Sequence, residues 1–251
     1  MIIKLENPEN AAPLFAGWEE TIIWSCLQGI MGAVYADCQE DPVSAMAILG
    51  DFAFFAGKPK EELVFYIRGK QDFIILVGQS EDWAALIESC YGEKAKKVTR
   101  YALKKEPDVF DREKLRCAAA ALPPEYSMRM MDEELFNRCK TGWCRDWVAQ
   151  YADYKAYQKY GLGVVILKNG EPVSGASSYS GYRDGIEIEI DTKEEYRRRG
   201  FALICGARLI LECLERNLYP SWDAQNPESV KLAENLGYHL DHAYIAYEVI
   251  A

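Results

Sequence analysis

The sequence is poor in the residues and patterns that build metal sites, membrane spans and export signals. Only two histidines, His239 and His242, occur in 251 residues, and none of the eight cysteines forms a Cys-x-x-Cys pair. This spacing disfavours a structural zinc site, which needs closely spaced Cys and His ligands. The chain shows no basic leader with a long apolar run and no stretch of about 18 apolar residues, so we expect neither a secretory signal nor a transmembrane helix. Unpatterned cysteines in such a chain indicate a reducing cytoplasm.

An excess of positive charge is also missing. The chain carries 29 Lys and Arg against 39 Asp and Glu, a formal net charge of −10. Division after residue 120 leaves 14 basic and 19 acidic residues before it and 15 and 20 after it, so each part carries −5. Nucleic acids and anionic membranes attract proteins through positive charge. We therefore expect no nucleic acid and no membrane as a partner.

The remaining composition is typical of a globular protein with one large or two small domains. Hydrophobic residues make up 49% of the chain and charged residues 27%, which excludes a disordered or low-complexity chain. Pro123-Pro124 halts helix and enforces extended backbone. We place the domain boundary there and predict two domains, 1–122 and 123–251.

The first domain shows secondary-structure patterns but no chemical motif. Apolar residues at helical spacing predict one or two buried helices over 14–36. Two short strands within 45–56, a strand over 73–77 and a helix capped by Ser80 follow. We expect an α/β domain that forms a wall of the substrate cleft or a dimer surface, which makes a homodimer possible. It could also be a degenerate repeat of the second domain.

The second domain opens with a strand over 126–131 and helical material over 132–160. A β-hairpin follows, because Asn169-Gly170 lies between two apolar runs and is a strong two-residue turn signal. The aromatic residues of 143–160 are expected to pack in the core, with a lining for an amine substrate as the alternative.

One stretch of this domain combines a strand, a basic loop and a helix. Residues 186–191 alternate isoleucine with carboxylate, which predicts a half-buried strand. Arg197-Arg198-Arg199-Gly200 follows, and apolar residues at helical spacing begin at 203. Backbone N–H groups at a helix start have no intrahelical partner, and glycine lets a ligand approach them closely. We predict a di- or polyphosphate site here, with a solvated turn as the plainer alternative.

A second pattern lies over residues 222–238. Asn226 is a suitable N-cap, Pro227 fits the first helical position, and Gly237 can end the helix in a left-handed conformation. The capping role alone would explain Asn226.

Together the two patterns resemble the GCN5-related N-acetyltransferase (GNAT) superfamily over about residues 126–251. The family's phosphate loop has the form Arg/Gln-x-x-Gly-x-Gly/Ala, and here it stands as Arg197-Arg198-Arg199-Gly200-Phe201-Ala202. The family's later helix begins Asn-x-x-Ser/Ala and ends Leu-Gly-Phe/Tyr, matched by Asn226-Pro227-Glu228-Ser229 and Leu236-Gly237-Tyr238. The additional N-terminal half is similar to that of a bacterial subgroup related to zwittermicin A resistance acetyltransferases.

The resemblance implies a mixed, mostly antiparallel central sheet flanked by helices, and acetyl-CoA as cofactor. Acetyl-CoA would lie between the strand over 186–191 and a strand over 219–223. The residues implied to hold it are Ile188, Ile190, Arg197, Arg198, Arg199, Gly200, Phe201, Ala202, Asn226 and Ser229.

The resemblance also implies which residues carry the chemistry. The acceptor amine must lose a proton before it attacks, and Glu187 or Glu189 is the expected base, with Asp191 as a third candidate. Many family members place a Tyr acid where this chain has Ala233. Tyr238 is the substitute we name, with Tyr244 and Tyr247 also near in sequence, or the thiolate leaves unaided.

The function implied is N-acetylation of a primary amine on a small molecule, with antibiotics among the acceptors considered. Two alternatives stay open at this point. One is a non-catalytic regulator that binds acyl-CoA, suggested by Ala233. The other is an aminoacyl transferase of the tandem type, which the even charge division disfavours because it would need tRNA affinity.

Overall fold

A computed structural model describes residues 1–250, and the chain divides into two compact units. The first comprises residues 1–100 and 244–250, and the second comprises residues 101–243. The predicted boundary between 122 and 123 therefore lies within the second unit. No helix in the described chain combines the length and apolar content needed to span a membrane.

The first unit contains most of the N-terminal elements. They are β1 (Ile3–Lys4), α1 (Thr21–Leu27), β2 (Ala33–Ala36), β3 (Ser44–Leu49), β4 (Phe52–Gly57), α2 (Glu61–Tyr66), β5 (Phe73–Gly78) and α3 (Glu81–Tyr91), with a 3-10 helix at Pro8–Phe15. Two strands carry the chain between the units: β6 (Ala95–Leu103) and β13 (Leu240–Ile250).

Strand pairing in the first unit follows the order β1-β2-β3-β4-β5-β13. All neighbours are antiparallel except β4 and β5, which are parallel. The strands within 45–56, the strand over 73–77 and the Ser80 cap of α3 are confirmed. Helix over all of 14–36 is wrong: α1 ends at Leu27, and Gly29 and Gly32 adopt positive φ before β2. Glycine readily adopts this conformation, and here it turns the chain into a strand.

The second unit contains the remaining elements. They are α4 (Arg112–Ala119), β7 (Ser127–Met130), α5 (Glu133–Cys139), α6 (Tyr154–Tyr160), β8 (Gly163–Lys168), β9 (Glu171–Tyr182), β10 (Gly185–Thr192), α7 (Phe201–Glu215), β11 (Tyr219–Ser221), β12 (Asp223–Ala224) and α8 (Pro227–Leu236), with 3-10 helices at Arg145–Trp147 and Glu194–Tyr196.

A five-stranded sheet in the order β11-β10-β9-β8-β7 organises the second unit. It is antiparallel except for the parallel pair β10 and β11. The predicted hairpin joins β8 to β9, with positive φ at Asn169 and Gly170. The helix α7 packs on one face, where Gly206 lies so close to Ile190 that a Cβ would come within 3.2 Å of the Ile190 Cδ1 atom. The fold expected from the sequence, a mostly antiparallel sheet flanked by helices, is confirmed.

The two units share an order of elements. In each, antiparallel strands lead to a strand, a helix and a parallel neighbour, which are β4-α2-β5 in the first and β10-α7-β11 in the second. A helix follows the second parallel strand in both. This recurrence supports the expectation that the first unit is a repeat of the second.

Candidate active site

The parallel strands β10 and β11 separate partway along their length. Their register covers Gly185 with Tyr219, Ile186 with Pro220 and Glu187 with Ser221. The strand β10 continues to Thr192, whereas the chain after Ser221 turns away to pair β12 with β6. We call the opening between β10 beyond Glu187 and the chain after Ser221 the fork. An irregularity in the β9–β10 register falls at the same place, between Glu187 and Ile188.

Glu187 lies at the apex of the fork. Its carboxylate Oε1 accepts a 2.7 Å hydrogen bond from the Asp223 backbone N–H. The side chain therefore takes the place where the strand ladder would otherwise continue. Only 7% of Glu187 is exposed, and a carboxylate buried to this degree must be compensated by such donors.

The neighbours of Glu187 on this face are hydroxyl groups. Ser180 is directly opposite on β9 and Ser221 directly opposite on β11, so their side chains share the face of Glu187. The Tyr182 hydroxyl lies 3.0 Å from the Ser221 Oγ. The Ser180 Oγ is buried and makes no hydrogen bond within the described residues. A buried hydroxyl of this kind is a polar group with capacity left for a ligand or water.

The loop after β10 leads into the start of α7. Arg198 has φ +60° and Gly200, the N-cap of α7, has φ +82° with no capping side chain. A Cβ on Gly200 would meet nothing within 4 Å, so space is open in front of the first N–H groups of α7. These groups lack intrahelical partners and carry the positive end of the helix dipole.

The three arginines of the loop are held differently. Arg197 donates its Nε–H to the Thr192 carbonyl at 3.2 Å. Arg199 lies over the Tyr196 ring at 5.2 Å and donates to the Tyr126 hydroxyl at 3.3 Å. The Arg198 side chain is exposed and makes no hydrogen bond or ion pair with another described residue. Its left-handed backbone is costly for a residue with a side chain, and such strain is common at ligand-binding loops.

The comparisons with known proteins agree with this arrangement. A family model described as GNAT acetyltransferase matches residues 12–247. The chain belongs to this family. The match covers nearly all of both units, so the first unit is part of the family's architecture and not a separate addition to it.

Relatives support the family assignment across the whole length. An N-acetyltransferase of Bacillus subtilis (strain 168), named as uncharacterized, is 26% identical over 90% of this chain and 89% of its own. A GCN5-related N-acetyltransferase-like protein from Streptococcus suis 89/1591 is 48% identical, with a TM-score of 0.93 over 97% of this chain and 98% of that one. A tandem GNAT protein from the clavulanic acid biosynthesis pathway shares the fold, with a TM-score of 0.58 at 10% identity over 100% of this chain and 98% of that one. The protein is an enzyme of the N-acetyltransferase class.

In this acetyltransferase the predicted cofactor residues other than those of the Arg197–Gly200 loop fall into two groups, one on β10 and the first turn of α7 and the other at the start of α8. Ile188 and Ile190 belong to the stretch of β10 that borders the fork, and their side chains pack in the core beneath α7. Phe201 is buried, with its ring 4.7 Å from the Tyr126 ring, whereas Ala202 is half-buried in the first turn of α7. These side chains anchor the loop, so these residues can offer a ligand only their backbone groups.

Asn226 and Ser229 already have structural partners. The Asn226 Oδ1 caps α8 by accepting from the Ser229 N–H at 2.9 Å, as its helix-capping interpretation predicts. The Ser229 Oγ accepts from the Trp222 indole N–H at 3.2 Å. The Asn226 side-chain amide retains its N–H₂ donors, so the prediction that it reaches the cofactor stays a prediction about those donors.

Tyr238 is placed differently from what an acid role requires. Its side chain is almost fully buried and its hydroxyl donates to the Pro220 carbonyl at 2.5 Å. Burial raises the pKa of Tyr238 well above its ordinary value. Burial raises the pKa of Tyr182 as well, so it is the commitment of the Tyr238 hydroxyl to the Pro220 carbonyl that favours packing over proton donation. Tyr247 is also committed elsewhere, since its hydroxyl donates to Glu88 at 2.6 Å within the first unit.

The structure instead places Tyr182 on the face of Glu187. Tyr182 is the last residue of β9 and was not among the residues predicted to carry the chemistry. The only signal available was the polar Ser-rich run of β9, which could have indicated a strand continuing into a site.

Further along β10, carboxylates gather. Asp191 is hydrogen-bonded to Glu189, and Asp146 from the 3-10 helix Arg145–Trp147 lies close by. Burial, with the Asp146 charge adding to it, raises the pKa of Asp191 to about 6, although Arg197 and the Glu189 hydrogen bond oppose this. Sequence reasoning named Glu189 and Asp191 but missed Asp146, which lies far away in the chain.

Proposed function

We propose that this enzyme transfers the acetyl group of acetyl-CoA to a primary amine on a small molecule by direct attack. The fork beside the uncapped start of α7 is the observation that carries the proposal. Strand backbone borders the fork, and free N–H groups border the open space at the start of α7. This combination suits a long thioester arm that ends in a diphosphate.

The residues present fit such a ligand. Gly200 leaves open space at the helix start, and Arg198 adds an exposed positive charge there. The buried Ser180 hydroxyl at the fork is satisfied by no described residue. Acetyl-CoA supplies an activated acetyl thioester when bound.

Glu187 is our candidate base. It lies at the apex of the fork, where the backbone of β10 can polarise a thioester carbonyl by hydrogen bonding. The carboxylate accepts the proton that the amine must lose, directly or through a water. The new C–N bond replaces the C–S bond, and the departing thiolate takes a proton from solvent or from a hydroxyl on the same face, for which Tyr182 is our candidate.

The acceptor class follows from charge. Glu189 and Asp191 lie on the continuation of β10, and Asp146 is close enough to act on Asp191, with the charge of Arg197 opposing it. Carboxylates attract a cationic amine. We infer an acceptor that carries positive charge at neutral pH, in line with a small amine.

Thiol release from acetyl-CoA across a panel of small amines tests the proposal. We expect release with at least one amine, and Glu187→Gln should lower kcat/KM by about 10²-fold or more because a general base contributes about 10²–10⁴-fold. Glutamine can still accept from the Asp223 N–H, so the fork is preserved. Glu113→Gln on the exposed surface of α4 is the matched control.

If the protein binds acetyl-CoA but releases no thiol with any amine, and Glu187→Gln has no effect on these results, the non-catalytic acyl-CoA-binding regulator is favoured instead. Absence of acetyl-CoA binding would overturn both.

A further inference from the structure

A groove of about 450 Å³ lies in the second unit, at the far side of its sheet from the fork. Its walls are the end of α4 with the chain that follows, the strand β7 and the middle of α7. The strands β8 and β9 separate β7 from β10. The groove is therefore about three strand spacings, or roughly 14 Å of sheet, from the strand that borders the fork. It is a separate feature from the candidate active site.

The floor of the groove is apolar. Val164 of β8 and Leu211 of α7 are buried core residues that reach it. Leu122, Met128 and Met130 are half-buried and pack against the same core. These side chains are held in place by the fold without a ligand. A concave, mostly apolar site of this volume is typical of small-molecule binding, for which pockets are roughly 300–1,000 Å³.

One wall of the groove is an unpaired strand edge. The Met131 N–H donates to the Gly163 carbonyl at 2.8 Å. Opposite residues of an antiparallel ladder alternate between hydrogen-bonded and non-hydrogen-bonded pairs, so the backbone groups of Met128 and Met130 point away from β8. Within residues 1–250, β8 is the only strand that pairs with β7. The outer edge of β7 therefore presents backbone N–H donors to the groove.

The charged residues that line the groove are all arginines. They are Arg116 of α4, Arg129 of β7 and Arg208 of α7, and no Asp or Glu of the described chain joins them. This selection stands out in a chain that has 39 acidic and 29 basic residues. The groove thus combines an apolar floor with a cationic rim.

The three arginines already have carboxylate partners, but each keeps donors for a ligand. Every one of these bonds uses a single terminal nitrogen of its arginine, and the pairs are Arg116 with Glu113, Arg208 with Glu212, and Arg129 with both Asp132 and Glu134. A guanidinium has five N–H donors in a planar fork that matches a carboxylate. The three arginine side chains are 58%, 42% and 45% exposed in chain order, and ion pairs this exposed contribute little. A carboxylate inside the groove can therefore use the remaining donors.

We propose that this groove binds a small apolar carboxylate of the medium-chain fatty acid type. The carboxylate lies among the three arginines, with the outward N–H groups of Met128 and Met130 as further donors on the same wall. The hydrocarbon chain covers the apolar floor. The rim selects the charge of the ligand and the floor selects its length, so affinity depends on both ends of the ligand.

Calorimetry with the full chain and sodium octanoate, below the concentration at which it forms micelles, tests the proposal. We expect octanoate to bind at one site. Octylamine has the same chain length and should bind at least tenfold more weakly, because the arginines repel its ammonium group. Hexanoate should bind roughly 15-fold more weakly than octanoate, since each buried methylene changes Kd by roughly fourfold.

A matched pair of substitutions locates the site. Ala120 is exposed and lines the groove, whereas its exposed neighbour Ala121 does not line it. Ala120→Glu places a carboxylate in the groove and should raise the Kd for octanoate about tenfold. Ala121→Glu changes the net charge equally and should leave Kd within about twofold. Arg116→Gln should raise Kd about threefold, and Arg112→Gln, one turn earlier on α4 and outside the groove, should not.

Methyl NMR of the methionines gives a readout that needs no variant. Of the six methionines, Met128 and Met130 are the ones that line the groove. Octanoate should shift the methyl signals of these two residues and leave Met31 and Met46 of the first unit unchanged.

Several results would overturn the proposal. They are no binding of octanoate, equal affinity for octanoate and octylamine, equal effects of the two alanine substitutions, and shifts at Met31 or Met46 without shifts at Met128 and Met130. A native dimer that octanoate dissociates would also overturn it, because a second copy would then be the occupant of the β7 edge. None of these measurements involves acetyl-CoA, so the proposed function and this site stand or fail independently.

Discussion

Substitutions at Gly200 can separate the fold of the predicted phosphate loop from the anion binding that we propose for it. This residue has φ +82°, and a Cβ placed on it would meet nothing within 4 Å. An alanine here therefore costs backbone strain and little else. Glutamate costs the same strain and adds a negative charge at the uncapped start of α7, where we expect the diphosphate.

The magnitudes follow from these two terms. A residue with a side chain in a left-handed conformation costs about 1–2 kcal/mol, so Gly200→Ala should lower the free energy of unfolding by about that amount. The glutamate should lower it less, because a carboxylate at a helix start contributes about 0.3–1 kcal/mol. Against a bound diphosphate, the same carboxylate near the surface is repelled by about 1–3 kcal/mol, or roughly 5- to 150-fold in Kd.

Calorimetry with two ligands assigns the loss. Coenzyme A contains the diphosphate and pantetheine lacks it. We expect Gly200→Glu to raise the Kd for coenzyme A by roughly 5- to 150-fold. The Kd for pantetheine should stay within about twofold of the native value, a change of less than about 0.5 kcal/mol. Gly200→Ala is the control for backbone strain and should bind coenzyme A within about threefold of the native protein, or 0.7 kcal/mol.

Two results would refute the reasoning. If Gly200→Glu binds coenzyme A as tightly as the native chain, the diphosphate does not lie at the start of α7. If the affinity for pantetheine falls as much as the affinity for coenzyme A, the substitution has disturbed the fork and not the phosphate site alone. Chemical denaturation of both variants reports whether either has lost the fold.

Three further perturbations follow from the same contacts. Tyr182→Phe should lower thiol release while Tyr238→Phe mainly lowers stability, because only Tyr182 shares the face of Glu187; stopped assays and denaturation of both variants compare them, and equal activity in the two would contradict the assignment. The pKa of Asp191 is raised in the folded state, so its protonated form stabilises the fold at low pH and this stabilisation is lost as pH rises through about 6. The free energy of unfolding of Asp191→Asn, relative to that of the native protein, should therefore rise by about 1–3 kcal/mol between about pH 4 and pH 8. A difference in unfolding free energy that does not change with pH would argue against the raised pKa of Asp191. Gly175→Ala should cost about 1–3 kcal/mol because its Cβ would overlap the Trp147 ring; unchanged denaturation and unchanged exchange over 140–147 would show that the ring is not held there.

Features set by neighbours in the chain could be predicted from the sequence. Asn169-Gly170 determines a two-residue hairpin, and the Asn226-Pro227 start determines the first turn of α8, because turn and cap geometry depend on a few adjacent residues. The alternation over 186–191 and the basic loop after it are equally local. These segments are where the expectations and the structure agree most closely.

Features set by tertiary contacts could not be predicted from the sequence. The helical spacing over 14–36 is real, but Gly29 and Gly32 end the helix because the next residues join a sheet. Tyr238 and Tyr182 look alike in the sequence, and only the fold shows one in the core and the other beside Glu187. Asp146 reaches Asp191 through the packing of a loop whose sequence carries no motif.

The comparison between the two units indicates why only one carries a recognisable motif. In the first unit, β4 and β5 pair from Phe52 with Ile75 to Phe55 with Gly78, and β4 ends soon after its last pair, at Gly57, whereas β10 continues from its last pair at Glu187 to Thr192. The connecting helix α2 spans only six residues. In the second unit, β10 and β11 pair over three residues before the fork opens, and α7 runs for 15 residues. An early fork and a long helix with an open start are the two features that our proposal assigns to the binding of an extended diphosphate ligand. A repeat that keeps its strands paired has no use for the glycine and arginines of the phosphate loop, which explains how a family match over nearly the whole chain coexists with a motif confined to its second half.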